Sequence, residues 1–374
     1  MNIPLCRPCV DDAEIDAVAA VLRGGWYAHG AANTAFEQAF TELLGVEHAV
    51  SLNSCTSALF LALMANRIRG EVIIPAFTWV ATANAVVTAG ATPVFADIEP
   101  AGRMLDPEAV EAAITPRTEA IIAVHYAGQC ANMWRLTDIA RRHRLLLIED
   151  SAETLGATHH GRQAGAFGIG CFSFFPTKNI TTGEGGMLTC RDGDLAAQVR
   201  TLASHGVTTS TLEREKHRLP WAKQAAIAGF NFRMSNILAA IGVQQMKKLS
   251  GMNGARQRLA MHYEQRLAGC EAITVPAVLA GNTHVYQMYT LLVPADQRDK
   301  LVAALNAQGI GASVHFAPPV HRHPAYHGLA PGQPLPVTED VAARSVTLPI
   351  YPGMTLVQAD MVADAVLAYL EAGD

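Results

Sequence analysis

Five short apolar segments recur in the first 150 residues, each separated from the next by a stretch long enough for a helix. A helix between two strands carries the chain back to the same edge of the sheet, so successive strands become parallel. The pattern therefore predicts an α/β fold with a mainly parallel sheet and helices on both faces. The predicted strands lie at residues 49–53, 71–75, 93–97, 120–124 and 145–149.

The order of elements changes after Gly251. The remaining pieces suit a small α+β domain, so we expect a large domain at residues 1–250 and a smaller one at residues 251–374. Periodicity and capping predict helices at residues 255–267, 299–308 and 356–370, the last capped by Thr355, and strands at residues 285–293 and 312–316. In the large domain, Asp106 and Pro107 mark the start of one further helix.

Composition narrows the class of protein. Half of the 374 residues are hydrophobic, which is enough for a large core, and the net charge of -5 comes from dispersed acids and bases. A nucleic-acid partner is not expected, because the chain has no basic footprint. No apolar run reaches the ~20 residues of a membrane span, and residues 1–10 lack the apolar stretch of a signal peptide. We therefore expect a soluble, cytoplasmic protein with no membrane partner.

Cysteine and histidine do not predict a metal site. The seven cysteines are an odd number scattered along the chain, which favours reduced thiols. Cys6 and Cys9 have the spacing of a redox pair, but a proline turn before a helix is the favoured explanation, and no second such pair exists to complete a zinc site. The histidines lack the helical spacing of a catalytic zinc site, so no metal is expected.

A proline-rich segment follows the predicted strand at residues 312–316. It contains His321 and Arg322, which could contact the diphosphate of a nucleotide or could lie in a solvated loop. The prolines at residues 318–319 and 331–336 indicate a long loop, which we expect at the rim of a substrate cleft.

Lys178 stands between an apolar segment that reads as a strand, residues 169–175, and a glycine-rich turn. An ammonium group at such a junction is costly to desolvate, which favours the neutral amine, a nucleophile toward carbonyl carbon. Ser173 and backbone N–H groups of the loop could bind a phosphate, and the usual aldehyde cofactor with a phosphate is pyridoxal 5'-phosphate. The alternative is a lysine on the solvated surface.

Two other segments could complete such a site. Asp150 follows the apolar strand at residues 145–149 and could face the pyridine nitrogen of the cofactor, or it could lie in a solvated turn. Residues 53–59 join a strand to a helix predicted at residues 57–65, and their hydroxyl and N–H groups suit phosphate. A plain helix cap would need the same residue types and no ligand.

Together these segments resemble the DegT-type sugar aminotransferases (DegT/DnrJ/StrS), pyridoxal-phosphate enzymes that aminate keto sugars attached to nucleotides. The resemblance covers nearly the whole chain. It implies the aspartate aminotransferase fold, also called fold type I, with a large domain built on a seven-stranded-type sheet. The matching segments are residues 25–26, 36–37, 53–59, 71–75, 77–82, 90–98, 124–128, 148–153, 172–186, 205–206, 229–233 and 348–349.

The resemblance implies a role for each residue of the site. Lys178 and Asp150 would be the catalytic residues. Lys178 would be bonded to the cofactor, and Asp150 would contact the cofactor's pyridine nitrogen. Ser173, Thr56 and Ser57 would bind the cofactor phosphate.

Four further positions are implied by the same resemblance. Trp79 would stack on the cofactor ring, although a tryptophan seen alone is more often part of a core. Asn231 or Arg233 would reach the phosphate of the neighbouring subunit, which implies a homodimer with shared active sites. Glu153 would lie beside the cofactor, at a position where glutamine or histidine is common, so its hydrogen bond is open.

The resemblance also implies an activity. L-Glutamate would be the amino donor, and a lysine at position 178 implies amination, because members that dehydrate sugars carry histidine there. Residues 178–186 resemble the C4-aminating members that make UDP-4-amino-4-deoxy-L-arabinose, perosamine and pseudaminic acid precursors, for lipopolysaccharide or antibiotic sugars. We therefore expect a nucleotide-linked 4-keto, 6-deoxy sugar as acceptor. A ketocyclitol aminotransferase of aminoglycoside biosynthesis and a non-catalytic pyridoxal-phosphate-binding regulator are the alternatives.

Overall fold

The computed structural model describes residues 2–208, 224–329 and 334–371. Helices in these residues are α1 (Asp12–Gly24), α2 (Ala31–Leu44), α3 (Cys55–Ala65), α4 (Val80–Thr88), α5 (Pro107–Ala113), α6 (Met133–His143), α7 (Gly193–Ala203), α8 (Asn236–Leu267), α9 (Ala295–Ala307), α10 (Pro336–Arg344) and α11 (Leu356–Glu371). Strands are β1 (His48–Leu52), β2 (Glu71–Pro75), β3 (Thr92–Ala96), β4 (Thr118–Val124), β5 (Leu146–Asp150), β6 (Thr158–His159), β7 (Arg162–Gln163), β8 (Ile169–Ser173), β9 (Gly186–Cys190), β10 (Tyr289–Leu292) and β11 (Ser345–Leu348).

A seven-stranded sheet organises the first part of the chain, in the order β1-β9-β8-β5-β4-β2-β3. Strands β8, β5, β4, β2 and β3 pair in parallel, whereas β9 is antiparallel to both β1 and β8. The predicted α/β class with a mainly parallel sheet is therefore confirmed. The predicted strands of this sheet agree with the observed ones to within two residues at each end, whereas the strand predicted at residues 285–293 is shorter and spans Tyr289–Leu292. Strand β9 was not predicted.

Both faces of the sheet are covered, as continuous apolar strands require. In β2, Val72 and Ile74 belong to a buried core that also contains side chains of α3, α4 and α7. Ile73 points to the opposite face, into a core with side chains of α5 and α6. The sheet is thus held between two helical layers, and only its strand ends are open for a site.

Helix starts followed the capping signals. Helix α5 begins at Pro107, and the side chain of Asp106 accepts a hydrogen bond from the backbone of Glu108. Helix α11 begins after Thr355, whose hydroxyl accepts from the N–H of Gln358 at 3.2 Å. Both predicted caps are confirmed.

A smaller core lies in the C-terminal part of the chain. Strands β10 and β11 form an antiparallel pair, and their side chains pack with those of α9, α11 and the end of α8. We call these buried side chains the C-terminal core. Helix α8 is 32 residues long and runs without interruption through Gly251, so the predicted start of a helix at residue 255 was wrong. The division into domains at residue 250 remains a prediction.

The strand predicted at residues 312–316 is not formed. Ser313 makes a single antiparallel bridge to Thr347, and the chain then bends. His315 and Phe316 leave the strand direction and line a cavity at the edge of the main sheet. Residues 330–333, which include part of the predicted proline-rich loop, lie outside the described residues. In the part of the chain that is described, no helix is long and apolar enough to cross a membrane.

Gly186 allows the start of α3 to approach the sheet. It is the first residue of β9 and pairs with Leu52 of β1. A Cβ atom at this position would lie 2.3 Å from the carbonyl carbon of Ser54 and 2.5 Å from the nitrogen of Cys55. Only glycine therefore fits between β9 and the first turn of α3.

Replacing Gly186 with alanine should destabilise the fold by about 1–3 kcal/mol, because the added methyl group collides with backbone atoms that cannot rotate away. Urea unfolding of the purified variant measures the change. The matched control is Gly251→Ala, because Gly251 is helical and nothing lies within 4 Å of its Cβ position. That control should be stabilised by about 0.5–1 kcal/mol. Equal stability of the two variants would contradict the close packing at Gly186.

Candidate active site

The carboxyl ends of the parallel strands meet at one edge of the sheet, which is where open α/β sheets bind ligands. A cavity of about 470 Å³ opens there, bounded also by the start of α3 and by the loop at His315 and Phe316. Six of the side chains implied by the sequence line this cavity: Thr56, Trp79, Asp150, Glu153, Ser173 and Lys178. Ser57, Asn231 and Arg233 do not belong to the described residues that line it.

Lys178 is paired with Glu153 inside the cavity. Its Nζ lies 3.1 Å from Oε1 of Glu153, and the two side chains are 17% and 9% exposed. The other carboxylate oxygen of Glu153 accepts a hydrogen bond from the N–H of Ala127 at 2.9 Å. The alternative of a solvated surface lysine is therefore wrong. The hydrogen bond of Glu153, left open by the sequence, is made to Lys178.

Helix α8 holds the loop that carries Lys178. Asn253 accepts a hydrogen bond from the side chain of Asn179 at 2.9 Å, and Gln245 accepts one from the backbone of Thr181 at 3.3 Å. The guanidinium of Arg256 donates to the carbonyl oxygen of Lys178 at 3.4 Å. Burial lowers the pKa of Arg256 to about 10. One face of α8 thus fixes the backbone on which the amine is carried.

Asp150 ends β5 and is buried. Its carboxylate accepts hydrogen bonds from the hydroxyl of Thr82 at 2.9 Å and from the N–H of Ala152 at 3.3 Å, and the thiol of Cys55 lies 3.8 Å away. Burial raises the pKa of Asp150 above its ordinary value. Within the described part of the chain no basic side chain forms an ion pair with Asp150. Such a carboxylate suits a cationic ring nitrogen, and the alternative of a solvated turn is wrong.

His125 and Glu149 belong to the same edge, although their roles were not predicted. His125 accepts a hydrogen bond from the N–H of Ala131 on Nδ1, so its Nε2 carries the proton and donates to Glu149 at 3.0 Å. Both side chains are fully buried. The sequence shows Glu149 only as an acid at the end of a strand. Its pairing with His125 could not be predicted, because the two residues are 24 positions apart in the chain.

The start of α3 has the geometry of a phosphate site. Thr56 is exposed to the cavity, and the first N–H groups of a helix have no partner within the helix. Ser57 is committed elsewhere, because its hydroxyl donates to Asn53 at 2.7 Å and its N–H donates to Ser54 at 3.1 Å. The cap interpretation is confirmed, with Ser54 as the cap, and the phosphate interpretation remains a prediction, for which Cys55 and Thr56 supply the open groups.

Trp79 and Ser173 lie on two walls of the cavity. Trp79 is 61% exposed, so it is not a core residue, and its ring is available to cover a flat ligand. Its contact on the protein side is a tilted one with Phe316, at 6.4 Å between ring centres. The hydroxyl of Ser173 accepts a weak hydrogen bond from the N–H of Phe175 at 3.4 Å and keeps its proton for an anion.

Asn231 and Arg233 lie beside the phosphate site of their own chain without entering the cavity. Asn231 makes a bridge to Ser204, and Arg233 makes one to Leu52 and contacts the hydroxyl of Ser204 at 3.4 Å. The sequence had placed their function in the neighbouring subunit, and that placement remains a prediction.

The loop at His321 does not reach the cavity. Arg322 is paired with Glu339, and His321 lies 3.3 Å from the same carboxylate, so a contact with a nucleotide diphosphate remains a prediction. Both side chains instead line a second hollow near the start of β3.

The residues present fit pyridoxal 5'-phosphate. Open N–H and hydroxyl groups at the start of α3 suit its phosphate, and the buried carboxylate of Asp150 suits its protonated ring nitrogen. The exposed ring of Trp79 can cover its face, and Lys178 supplies the amine that reacts with its aldehyde. Each part of the cofactor has a chemically matched group in the cavity lining or at the start of α3.

Comparison with known proteins agrees with this chemistry. The sequence profile of the DegT/DnrJ/EryC1/StrS aminotransferase family matches residues 8–367. Protein MJ1066 of Methanocaldococcus jannaschii is 38% identical over 363 residues, which cover 94% of each chain.

Solved structures of this family's kind of enzyme share the fold at lower sequence identity. PseC of Helicobacter pylori, an aminotransferase involved in the biosynthesis of pseudoaminic acid, is 30% identical, with a TM-score of 0.93 over 100% of both chains. The sugar aminotransferase Spr1654 of Streptococcus pneumoniae is 26% identical. Its PMP-form superposes with a TM-score of 0.93 over 99% of this chain and 100% of that one. It has also been solved in a PLP-form.

Asp150→Asn should bind pyridoxal 5'-phosphate but transfer the amino group of glutamate slowly, because an amide cannot hold the ring nitrogen in its protonated form by charge. Losing one charge-assisted hydrogen bond of about 1.5–3 kcal/mol corresponds to a rate lower by roughly tenfold to a hundredfold. Stopped-flow absorbance of a single turnover measures it. Thr82→Val is the matched control, because it removes a hydrogen bond to Asp150 and leaves the charge. An unchanged rate in Asp150→Asn would exclude the assigned role.

Proposed function

The chain belongs to the DegT/DnrJ/EryC1/StrS aminotransferase family, and from that membership we propose that its acceptor is a nucleotide-linked 4-keto, 6-deoxy hexose. It is a sugar aminotransferase that uses pyridoxal 5'-phosphate. L-Glutamate is the proposed donor. What remains to be assigned is which carbon of which sugar receives the amino group.

The residues of the cavity divide the work of such a transfer. Bound pyridoxal 5'-phosphate supplies an aldehyde that exchanges an amino group and a ring that takes up electrons. Lys178 and Asp150 line the cavity. In the proposed reaction Lys178 would move a proton to and from the reacting carbon, and Asp150 would keep the ring nitrogen protonated. The start of α3 binds the phosphate, and Trp79 covers the ring.

The single observation that carries the choice of sugar is the excess of acidic groups in the cavity. Asp150, Glu153 and Glu184 line it, against one amine, Lys178. Asp150 is assigned to the ring nitrogen and Glu153 is paired with Lys178, so Glu184 is the acid left to face the sugar. Carboxylates accept hydrogen bonds from sugar hydroxyls and repel a diphosphate. A nucleotide-linked sugar therefore enters with its ring first and keeps the diphosphate at the mouth.

Ring geometry then favours C4. The diphosphate is attached to C1, and C4 lies across a six-membered ring from C1. When C1 faces the mouth, C4 is the ring carbon that reaches deepest toward Lys178. The apolar side chains of Leu59, Met288 and Phe316 also line the cavity and suit a methyl group at C6. The similarity to PseC, an aminotransferase involved in the biosynthesis of pseudoaminic acid, supports this proposal.

The acceptor can be identified by loading the protein with pyridoxamine phosphate and adding candidate ketones. A nucleotide-linked 4-keto, 6-deoxy hexose should consume the pyridoxamine form, and NMR of the product should place the amino group at C4. A 3-keto isomer, the free 4-keto sugar and a ketocyclitol serve as comparisons, and Lys178→Ala serves as the blank. An amino group at C3, or turnover with the ketocyclitol alone, would contradict the proposed acceptor.

We also propose a homodimer in which Asn231 or Arg233 completes the neighbour's phosphate site. These residues lie at the edge of their own site but outside its lining, and they flank the same backbone that leads into α3: Phe232 accepts a hydrogen bond from the N–H of Asn53 at 2.8 Å. A closed dimer related by a twofold axis would bring each such segment to the other subunit.

Two variants that are each inactive alone, Lys178→Ala and Arg233→Ala, should regain activity when they are mixed and form hybrid dimers. In a hybrid dimer one of the two sites receives both its native Lys178 and the native Arg233 of the other chain, so up to about half of the hybrid's sites are intact. Mixing Lys178→Ala with Asp150→Asn is the matched control, because both residues belong to one chain's cavity and no hybrid site is whole. Absence of activity in hybrids verified by native mass spectrometry would place the site within one subunit.

A further inference from the structure

Glu153 is held in place more firmly than its partner. One carboxylate oxygen is fixed by the N–H of Ala127 at 2.9 Å, and the other faces Nζ of Lys178 at 3.1 Å. Ala127 has a φ of 56°, in the left-handed region, which is uncommon for a residue with a side chain. A buried carboxylate that is anchored by backbone on one side keeps its second oxygen in a constant position.

The other acids at this edge are committed elsewhere. Asp150 is bonded to Thr82 and to the N–H of Ala152. Glu149 is bonded to His125 and to three backbone N–H groups, those of Gly165, Phe167 and Gly168. Across residues 2–208, 224–329 and 334–371, Glu153 is the carboxylate within ion-pairing distance of Lys178.

A lysine that exchanges its bond to an aldehyde with an incoming amine has to be released and then reused. Between those two events its amine must remain close to the reacting carbon and must not drift into solvent. Lysine is a flexible side chain, so a second contact is needed to restrict it.

We propose that Glu153 is this second contact: a positioning residue that holds the released Lys178 as an ammonium between the two halves of the reaction. Glutamine or histidine at the same position could accept a hydrogen bond but would supply no negative charge. Glu153 therefore allows this chain to hold the released lysine through an ion pair. The inference rests on the transaminase activity and not on the identity of the sugar, so it can fail while the proposed acceptor stands.

The ion pair can be tested by chemical labelling of cofactor-free, full-length protein. Acetylation by an activated ester at pH 8, followed by mass spectrometry, gives the rate at Lys178 relative to that at Lys247, an exposed lysine on α8 bonded to Gln244. In Glu153→Gln this ratio should rise roughly tenfold, because the lysine loses its ionic contact and becomes more mobile. A ratio equal to that of the native protein would overturn the proposal.

Two variants separate charge from shape. Glu184→Gln removes a carboxylate that lines the same cavity without contacting Lys178, and it should leave the acetylation ratio unchanged. If Glu184→Gln raises the ratio as much as Glu153→Gln does, the effect comes from the overall charge of the cavity and the proposal fails. Glu153→Asp keeps the charge and should restore part of the protection.

The native protein provides a measurement that does not depend on any variant. After loading with pyridoxamine phosphate, Lys178 is released, and Glu153 should still protect it. The acetylation ratio should then stay at or below that of the cofactor-free protein. Faster acetylation of Lys178 on loading would mean that the released amine is not held, which would overturn the proposal.

Kinetics of the loaded enzyme give an independent readout. In Glu153→Gln the single-turnover rate with glutamate should fall by roughly tenfold with little change in the KM for glutamate, because the lysine and not the substrate has lost its contact. A rise in KM at an unchanged rate would instead make Glu153 a substrate-binding residue.

Discussion

The buried carboxylate of Glu149 holds the edge of the sheet from which the site is built. It accepts hydrogen bonds from three N–H groups of the loop before β8 and from His125, so it joins the ends of β4 and β5 to the approach of β8. Removing one partner of such a buried network typically costs several kcal/mol. Asp150 is the next residue, and its position therefore depends on this cluster rather than on its own few contacts.

The site combines two kinds of acid that the sequence does not distinguish. Glu149 is satisfied by the protein itself and is structural, whereas Asp150 is buried with hydrogen bonds but no basic partner among the described residues. Glu153 falls between them, with one oxygen bound to backbone and one to Lys178. The three carboxylates thus differ in how many of their hydrogen bonds the protein itself supplies. The fully bonded one is structural, and the less fully bonded ones are available for chemistry, as is common at functional sites.

Local patterns predicted much of this arrangement. Apolar runs located the strands of the main sheet except β9, and the capping signals at Asp106 and Thr355 located two helix starts. Lys178 and Asp150 could be found because each follows a strand whose end opens into the site. Strand β9 was missed because it begins with glycine and is defined by pairing with β1 and β8, which is a tertiary property.

Contacts between distant residues could not be predicted in the same way. The pair formed by Lys178 and Glu153 depends on the order of strands in the sheet, which no local pattern encodes. The segment at residues 312–316 had the composition of a strand, yet packing against the cavity bends it after Ser313.

The length of α8 has a consequence for how this chain can vary. Gln245 and Asn253 face the loop of Lys178, and Tyr263, ten residues beyond Asn253, packs into the C-terminal core. One inserted or deleted residue between them would turn one half against the other by about 100° and shift it by about 1.5 Å. The helix could then no longer contact the loop of Lys178 and the C-terminal core at the same time. The number of residues between Asn253 and Tyr263 is therefore fixed, because both contacts depend on it. Side chains on the outer face of α8 can be exchanged without changing that number.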